Sequence, residues 1–191
     1  MTNLAERRGF DAEVYAAAED SALLAGVAVD YVGPDQRVLD VGTGSGYVAR
    51  RIADETETDV VGCDLNPLAC RRARDAGVEV VRCDLVEPFR EGAFDAVVFN
   101  PPYLPTDPEA QWDDWLETAL SGGETGREVI ERFLDDVGRV LAPDGAVFLL
   151  VSTYTGVDEV VEYAGELGFS ASAVEDVAFP GETLSVLRLW R

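Results

Sequence analysis

Short apolar segments alternate with longer amphipathic segments along most of the chain, and this alternation restricts the fold more than any other feature. The apolar segments, such as Phe94 to Phe99, are typical of strands that are covered on both faces. The amphipathic segments, such as Gly126 to Leu141, carry apolar residues at helical spacing. Strand–helix alternation predicts an α/β fold with a mostly parallel sheet and helices on both faces.

The pattern predicts seven strands, which are Arg37 to Val41, Asp59 to Asp64, Val78 to Cys83, Phe94 to Phe99, Ala146 to Ser152, Ala171 to Val177 and Leu184 to Trp190. It also predicts helices over Glu13 to Val32, Tyr47 to Glu55, Pro67 to Ala76, Gly126 to Leu141 and Val157 to Leu167. Asn66 is the expected N-cap of the helix that begins at Pro67. No linker or repeat interrupts them, so we expect one domain over 1–191 with a flexible segment at 1–12. The one long irregular stretch, Pro101 to Thr125, is of a length that is usually functional.

The charge of the chain is strongly negative, with 15 basic and 37 acidic residues and a net charge of −22. Such a surface repels phosphate backbones, so we expect no direct binding of nucleic acid. Dense Asp and Glu without Lys also resembles the proteins of salt-loving archaea, where screening by salt weakens that argument. No apolar run is long enough to span a membrane or to form a signal peptide, so we expect a cytoplasmic protein.

The chain has three cysteines, Cys63, Cys70 and Cys83, and no histidine. An odd number of cysteines without a paired framework fits a reducing compartment. Buried apolar thiols are a better interpretation of the three than a zinc site, so we expect no metal. Without histidine, a Ser-His-Asp triad and a histidine general base are excluded, and the chemistry must proceed without the usual proton carrier.

A glycine-rich turn, Gly42-Thr43-Gly44-Ser45-Gly46, follows the first predicted strand. Glycines let the backbone turn sharply and approach a ligand closely. The G-x-G-x-G spacing differs from the G-x-G-x-x-G of dinucleotide sites, which argues against nicotinamide binding. Asp40, Asp64 and Asp84 end the first three strands, where Asp64 could accept both hydroxyls of a ribose and Asp84 could hold an adenine amine.

Asn100-Pro101-Pro102-Tyr103 directly follows the fourth strand, at the same edge of the sheet. The side-chain oxygen of Asn100 and the carbonyl of Pro101 could accept the hydrogens of a planar –NH₂ group and localise its lone pair. The prolines fix the backbone, and Tyr103 can stack on the planar group. The motif identifies the type of nitrogen and leaves open whether it belongs to a glutamine amide or to a base amine.

The stretch Leu39 to Gly46, Asp64 and Cys83-Asp84-Leu85 resemble the first three cofactor motifs of the class I S-adenosylmethionine-dependent methyltransferases. That resemblance implies a Rossmann-like, seven-stranded sheet whose last strand is antiparallel. The contacts with S-adenosylmethionine that it implies are Ser21, Asp40, Gly42, Gly44, Gly46, Asp64, Leu65, Asp84, Leu85 and Asn100.

Three further stretches, Val14-Tyr15 with Ala18 to Ser21, Gly122 to Glu128 and Gly181 to Leu187, resemble one subgroup, the archaeal and eukaryotic HemK-type release-factor glutamine methyltransferases. The resemblance implies methylation of the glutamine in the Gly-Gly-Gln loop of a class-1 translation termination factor. It also implies a heterodimer with a small zinc-binding activator subunit, which would add a strand beside Val78 to Cys83.

Two other functions stay open at this point. A methyltransferase acting on the exocyclic amine of a nucleic-acid base would need a basic groove facing Asn100, and few arginines lie near that end of the sheet. A catalytically silent scaffold need not keep the motif from Asn100 to Tyr103. Trp112 and Trp115, in the long loop, are either part of a mobile substrate lid or packed within the loop itself.

Overall fold

The computed structural model describes residues 19–105 and 120–191. Its seven strands, numbered β1 to β7 in chain order, are Arg37–Val41, Asp59–Asp64, Glu79–Arg82, Phe94–Phe99, Leu141–Ser152, Ser170–Phe179 and Glu182–Trp190. Its five long helices within those ranges, numbered α1 to α5, are Glu19–Tyr31, Tyr47–Thr56, Pro67–Asp75, Glu128–Val140 and Val157–Glu166.

The strands of the described residues form one sheet in the order β3-β2-β1-β4-β5-β7-β6. The first five strands run parallel, whereas β7 is antiparallel to both of its neighbours, β5 and β6. This confirms the predicted Rossmann-like α/β sheet with an antiparallel last strand. β1 lies beside both β2 and β4, so the strand order reverses there, and a crevice for ligands opens beyond the carboxyl ends of these strands.

Two apolar clusters cover the two faces of the sheet. On one face, Leu24 of α1 and Ile52 of α2 pack against alternate strand residues such as Val38. On the other face, α4 contributes Phe133, which packs with Leu39 in the second cluster. Alternate residues of β1 therefore enter different clusters, which is the pattern of a strand buried between two helical layers.

The largest difference from the predicted elements concerns β5. The sequence predicts a turn at Pro143-Asp144-Gly145 and a strand from Ala146, but β5 begins at Leu141, directly after α4. Phe94 pairs with Leu141 and Ala96 pairs with Ala146, so the turn residues form a bulge within the strand. The predicted start was therefore wrong, because the turn residues interrupt the register without ending the strand.

The predicted start of the first helix at Glu13 lies outside the described residues. The other boundaries agree within one or two residues, and β3 is one residue shorter at each end than Val78 to Cys83. Asn66 caps α3 as predicted, since its side chain accepts a hydrogen bond from the Leu68 amide at 2.9 Å. The segment at 1–12 lies outside the described residues. Across 19–105 and 120–191, no helix is long and apolar enough to cross a membrane.

Candidate active site

The crevice edge collects most of the polar residues that the sequence predicts as functional. Asp40 lies near the end of β1, Asp64 ends β2, and Asn100 follows β4. Because these strands are parallel neighbours, their carboxyl ends lie at one edge of the sheet. The glycine turn connects this edge to the N-terminus of α2, where backbone N–H groups have no helical partner.

The glycine turn adopts conformations that only glycine enters without strain. Gly42, Gly44 and Gly46 have φ values of +62°, +56° and +83°. A Cβ on Gly46 would lie 3.1 Å from Ala73 Cα, so this glycine also allows α2 and α3 to approach each other. The amide of Gly44 donates to Asp64 Oδ2 at 2.9 Å, which joins the turn to β2.

Asp40 stabilises the glycine turn through hydrogen bonds from the interior of the protein. Its side chain is 2% exposed, and Oδ2 accepts hydrogen bonds from Thr43 Oγ1 at 2.7 Å and from the Ala49 amide at 3.1 Å. Burial raises the pKa of Asp40 to about 7, although these two hydrogen bonds oppose the shift. The structure thus places this predicted cofactor contact inside the protein, where it connects the turn to α2.

Asp64 is arranged as an acceptor at the rim. Its Oδ1 accepts from the Asn66 amide at 2.8 Å, while Oδ2 receives the Gly44 amide. Burial raises its pKa, and the surrounding backbone N–H groups oppose that rise. The next residue, Leu65, is one of the more exposed large apolar residues, at 43%, which leaves an apolar surface beside this carboxylate.

Asp84 and Leu85 follow β3 and approach the same edge. Asp84 Oδ2 accepts a hydrogen bond from Arg132 Nη2 of α4 at 2.7 Å, so an adenine amine would share this carboxylate with a guanidinium. Leu85 has a positive φ of 48°, which is uncommon for a residue with a Cβ. Such conformations cluster at ligand sites, so Leu85 keeps its place as a candidate cofactor contact.

Two thiols lie beneath Leu85. Cys63 Sγ and Cys83 Sγ each donate to the Leu85 carbonyl, at 3.4 Å and 3.3 Å. The neighbouring Cys83 thiol and the burial of Cys63 raise the pKa of the Cys63 thiol. Within the described part of the chain, no group of three or more Cys, Asp or Glu side chains is placed to hold a metal ion.

Asn100 is held by a residue distant in sequence. Its Nδ2 donates to Ser21 Oγ of α1 at 3.3 Å, across 79 positions of the chain. The other end of the amide, Oδ1, is buried and has no hydrogen-bond partner among the described residues. An unpaired buried acceptor is costly in a folded protein, so this oxygen is suited to a donor that arrives from outside.

The segment after Asn100 is braced by the chain that returns to α4. Tyr103 is 5% exposed and belongs to the first apolar cluster, so its ring is a packed wall of the site. Leu104 exchanges backbone hydrogen bonds with the returning chain, donating to the Leu120 carbonyl and accepting from the Gly122 amide. A Cβ on Gly126 would lie 2.7 Å from the Tyr103 carbonyl oxygen, so only glycine allows this contact.

Most of the predicted site residues therefore meet at one edge of the sheet, and the predicted glycine stretch from Gly122 supports the acceptor motif. Sequence reasoning did not identify the partners that hold the site in place, which are Thr43, Ala49 and Arg132. Arg132 lies 48 positions from its partner Asp84, whereas Thr43 and Ala49 lie three and nine positions from their shared partner Asp40. Trp112 and Trp115 of the long loop lie outside the described residues.

Comparison with known proteins supports the same fold and identifies relatives among methyltransferases. A family model described as a methyltransferase domain matches residues 38–123. A Methanocaldococcus jannaschii protein named as a protein N5-glutamine methyltransferase is 36% identical over 94% of this chain and 92% of its own length. Human methyltransferase HEMK2 is 30% identical over 95% of this chain and 91% of its own length.

A solved structure extends the likeness to three dimensions. A chain of the E. cuniculi Mtq2–Trm112 complex, which is responsible for methylation of the eRF1 translation termination factor, superposes with a TM-score of 0.76. It is 30% identical and aligns with 93% of this chain and 98% of its own. Identity at this level over nearly the whole of both chains goes beyond a shared fold. The chain belongs to the HEMK2 family of class I methyltransferases, together with relatives named as protein N5-glutamine methyltransferases.

Proposed function

We propose that the protein transfers a methyl group from S-adenosylmethionine to the side-chain amide nitrogen of a glutamine, namely the glutamine of the Gly-Gly-Gln loop in a class-1 translation termination factor. One observation carries the proposal: Asn100 Oδ1 is a buried acceptor without a partner among the described residues, directly before Pro101-Pro102-Tyr103. The names of the relatives support the choice of a protein glutamine, since two of them refer to glutamine or to a termination factor.

The residues at the crevice edge fit S-adenosylmethionine. Gly42 and Gly44 bring bare backbone to the rim, and Asp64 and Asp84 are acceptors suited to ribose hydroxyls and an adenine amine. Leu65 and Leu85, Gly46 and the Ser21–Asn100 pair complete the contacts that we assign to it. When bound, the cofactor supplies a methyl group activated by its sulfonium charge.

The chain itself prepares the nucleophile. An amide nitrogen is weakly nucleophilic because its lone pair is delocalised into the carbonyl group. Asn100 Oδ1 and the Pro101 carbonyl accept the two amide hydrogens and increase the electron density on nitrogen as the new N–C bond forms. One proton leaves the nitrogen in the process and passes to solvent. No general base is needed before transfer, which agrees with a chain that contains no histidine.

We also propose a heterodimer with a small zinc-binding activator subunit. β3 is an edge strand of the described sheet, so one side of it can pair with a strand of another chain. Val81 and Cys83 are only partly buried there, and a partner would cover them. The E. cuniculi relative is found in a complex with Trm112, which is consistent with such an assembly. Termination takes place where ribosomes work, so we assign the protein to the cytoplasm.

The experiment that tests the function is a methyl-transfer assay with labelled cofactor, in high salt and with the activator co-expressed. The acceptors are the termination factor, its Gly-Gly-Gln glutamine-to-alanine variant and total RNA. We expect label on the unaltered factor alone, and loss of that label with Asn100→Ala. Ser185→Ala is the matched control and should retain activity. Ser185 is a buried residue of β7 whose hydroxyl donates a hydrogen bond to Asp176 of β6.

Label on RNA without label on the factor would contradict the proposal. It would favour the second function, methylation of a base amine, and would make the net charge of −22 a feature to be explained. Label on both the factor and its glutamine-to-alanine variant would place the methyl group on another residue, and would also contradict the proposal.

A further inference from the structure

We infer that Ser21 is a positioning residue for the reaction: its hydroxyl fixes which end of the Asn100 side-chain amide faces the substrate. The inference rests on the proposed function, because it assigns Asn100 Oδ1 as the acceptor for the substrate –NH₂ group. It goes further by giving Ser21 a role in the chemical step, separate from any contact with the cofactor.

An asparagine amide can turn by half a rotation without changing its shape. In one orientation it offers an acceptor to the site, and in the other it offers two N–H donors. A substrate –NH₂ group can donate a hydrogen bond to the amide oxygen in the first orientation. In the second orientation it faces the N–H donors of the asparagine and cannot form that bond. The orientation of Asn100 therefore decides whether the motif can bind and activate an amide nitrogen at all.

Ser21 supplies the contact that separates the two orientations. Asn100 Nδ2 donates to Ser21 Oγ at 3.3 Å, and Oδ1 is left buried without a partner among the described residues. Turning the amide would place Oδ1 against Ser21 and move the N–H groups to the substrate side. A serine hydroxyl can both accept and donate, and in the structure Ser21 Oγ is the acceptor of the Asn100 amide, which is the arrangement that leaves Oδ1 for the substrate.

The surroundings of Ser21 hold its backbone in place. Ser21 is 6% exposed and lies in the first turn of α1, where its amide donates to Asp20 Oδ1 at 2.7 Å. Asp20 is itself 3% exposed. One turn further on, Leu24 is fully buried in the first apolar cluster, so α1 is fixed against the sheet. A packed helix thus presents a buried hydroxyl to Asn100.

The test separates this role from a contact with the cofactor. With Ser21→Ala we expect kcat at saturating cofactor to fall about 3- to 10-fold, the size expected for losing one uncharged hydrogen bond. The Kd of S-adenosylmethionine, measured by titration calorimetry, should rise by a smaller factor than kcat falls, because Ser21 is only one of the proposed cofactor contacts and those at Asp64 and the glycine turn are intact. Ser21→Thr keeps a hydroxyl and should restore most of kcat.

Ser21→Cys provides a second graded variant, in case threonine does not fit the buried position. A thiol is a weaker acceptor than a hydroxyl, so its kcat should lie between those of serine and alanine. Ser185→Ala removes a buried hydroxyl elsewhere, from a hydrogen bond with Asp176, and should leave kcat and Kd unchanged. Thermal unfolding of all variants shows that the fold is intact.

Two results would overturn the inference. The first is an unchanged kcat for Ser21→Ala with a raised cofactor Kd, which would make Ser21 a cofactor contact alone. The second is a fall in kcat that is equal for Ala, Cys and Thr in folded protein, since the hydroxyl would then be irrelevant. If unaltered enzyme labels RNA rather than the factor, the proposed function has failed, and the same variants are compared on RNA, whose base amines also present –NH₂ to Asn100.

Discussion

The cofactor side of the crevice and the acceptor side are built in different ways. On the cofactor side, the turn from Gly42 to Gly46 and its supporting carboxylates form hydrogen bonds with one another, and Asp40 Oδ2 and both carboxylate oxygens of Asp64 accept hydrogen bonds. On the acceptor side, the backbone is firmly braced, but Asn100 Oδ1 has no partner within the described residues.

This difference indicates that the cofactor and the substrate bind to surfaces with different degrees of internal hydrogen bonding. The cofactor side is stabilised by hydrogen bonds within the chain. On the acceptor side, Asn100 Oδ1 is buried without a hydrogen-bond partner among the described residues, and a donor on the substrate can supply that partner. Unfavourable local arrangements of this kind are typical of reaction sites. The two sides should therefore respond separately to substitution, one in cofactor affinity and the other in turnover.

The largest effect is expected from Asn100→Ala, which removes the unpaired acceptor. Loss of one preorganised hydrogen-bonding group of this kind lowers kcat by about 100- to 1000-fold. Single-turnover methyl transfer to the termination factor measures it, and thermal unfolding controls for the fold. A fall of less than about threefold would mean that the acceptor lies elsewhere and that the two sides of the crevice do not divide as described.

Two glycine substitutions compare the sides directly. Gly46→Ala places a side chain at φ +83° against α3 and should raise the cofactor Kd about tenfold, with kcat at saturation little changed. Gly126→Ala places a Cβ 2.7 Å from the Tyr103 carbonyl oxygen. This variant should lower kcat about tenfold and leave the cofactor Kd little changed.

Gly165→Ala is the control for both glycine changes. Gly165 lies in α5, and a Cβ there would meet no atom of the described residues within 4 Å. Alanine is the better helix former, so this variant should be neutral or more stable by up to about 1 kcal/mol. Equal changes in kcat and Kd for Gly46→Ala and Gly126→Ala would show that the two sides act as one unit.

A smaller effect concerns the pH dependence of stability on the cofactor side. Burial raises the folded-state pKa of Asp40 from 3.8 to about 7, so folding favours its protonated form. Its contribution is greatest at low pH and is lost at about 1 kcal/mol per pH unit as pH rises toward 7. Asp40→Asn keeps an acceptor for Thr43 and Ala49 and should remove this slope.

Urea unfolding at pH 5, 6, 7 and 8 measures the Asp40 effect as the difference between unaltered protein and Asp40→Asn, which cancels the other titrating groups. The variant should gain in relative stability with rising pH, up to about pH 7. Parallel curves for the two proteins would show that Asp40 titrates in the folded state as it does in the unfolded chain.

The smallest effect is expected from Arg132→Ala, which breaks the ion pair with Asp84. Both side chains are largely exposed, at 58% and 43%, and such pairs contribute less than about 1 kcal/mol to stability. The cofactor Kd should change by less than about threefold. A larger rise, measured by calorimetry, would make Arg132 part of the cofactor side.

Local patterns in the sequence were sufficient to predict the elements and the edge where the site forms. The apolar run of β4 and the cap at Asn66 depend on neighbouring residues, and parallel strands necessarily bring Asp64 and Asn100 to one edge. The bulge at Pro143-Asp144-Gly145 was not predicted, because a turn signal also fits a bulge and the pairing with β4 decides between them.

The contacts that hold the site together could not be predicted from sequence. The bond between Ser21 and Asn100 spans 79 positions, and the bond between Asp84 and Arg132 spans 48, so both depend on how α1 and α4 pack on the sheet. The internal position of Asp40 is a similar case. A strand-end aspartate predicts a polar group at the rim, and only the packing of α2 shows that this one faces inward.

The position of β7 has a consequence for synthesis of the chain. β7 lies between β5 and β6, so β6 has no partner strand within the described sheet until the residues up to Trp190 have been made. The parallel half, from β1 to β5, is complete about forty residues earlier along the sequence. The hairpin of β6 and β7 therefore joins the sheet last. Until it does, the edge of β5 that pairs with β7 stays unpaired on the growing chain.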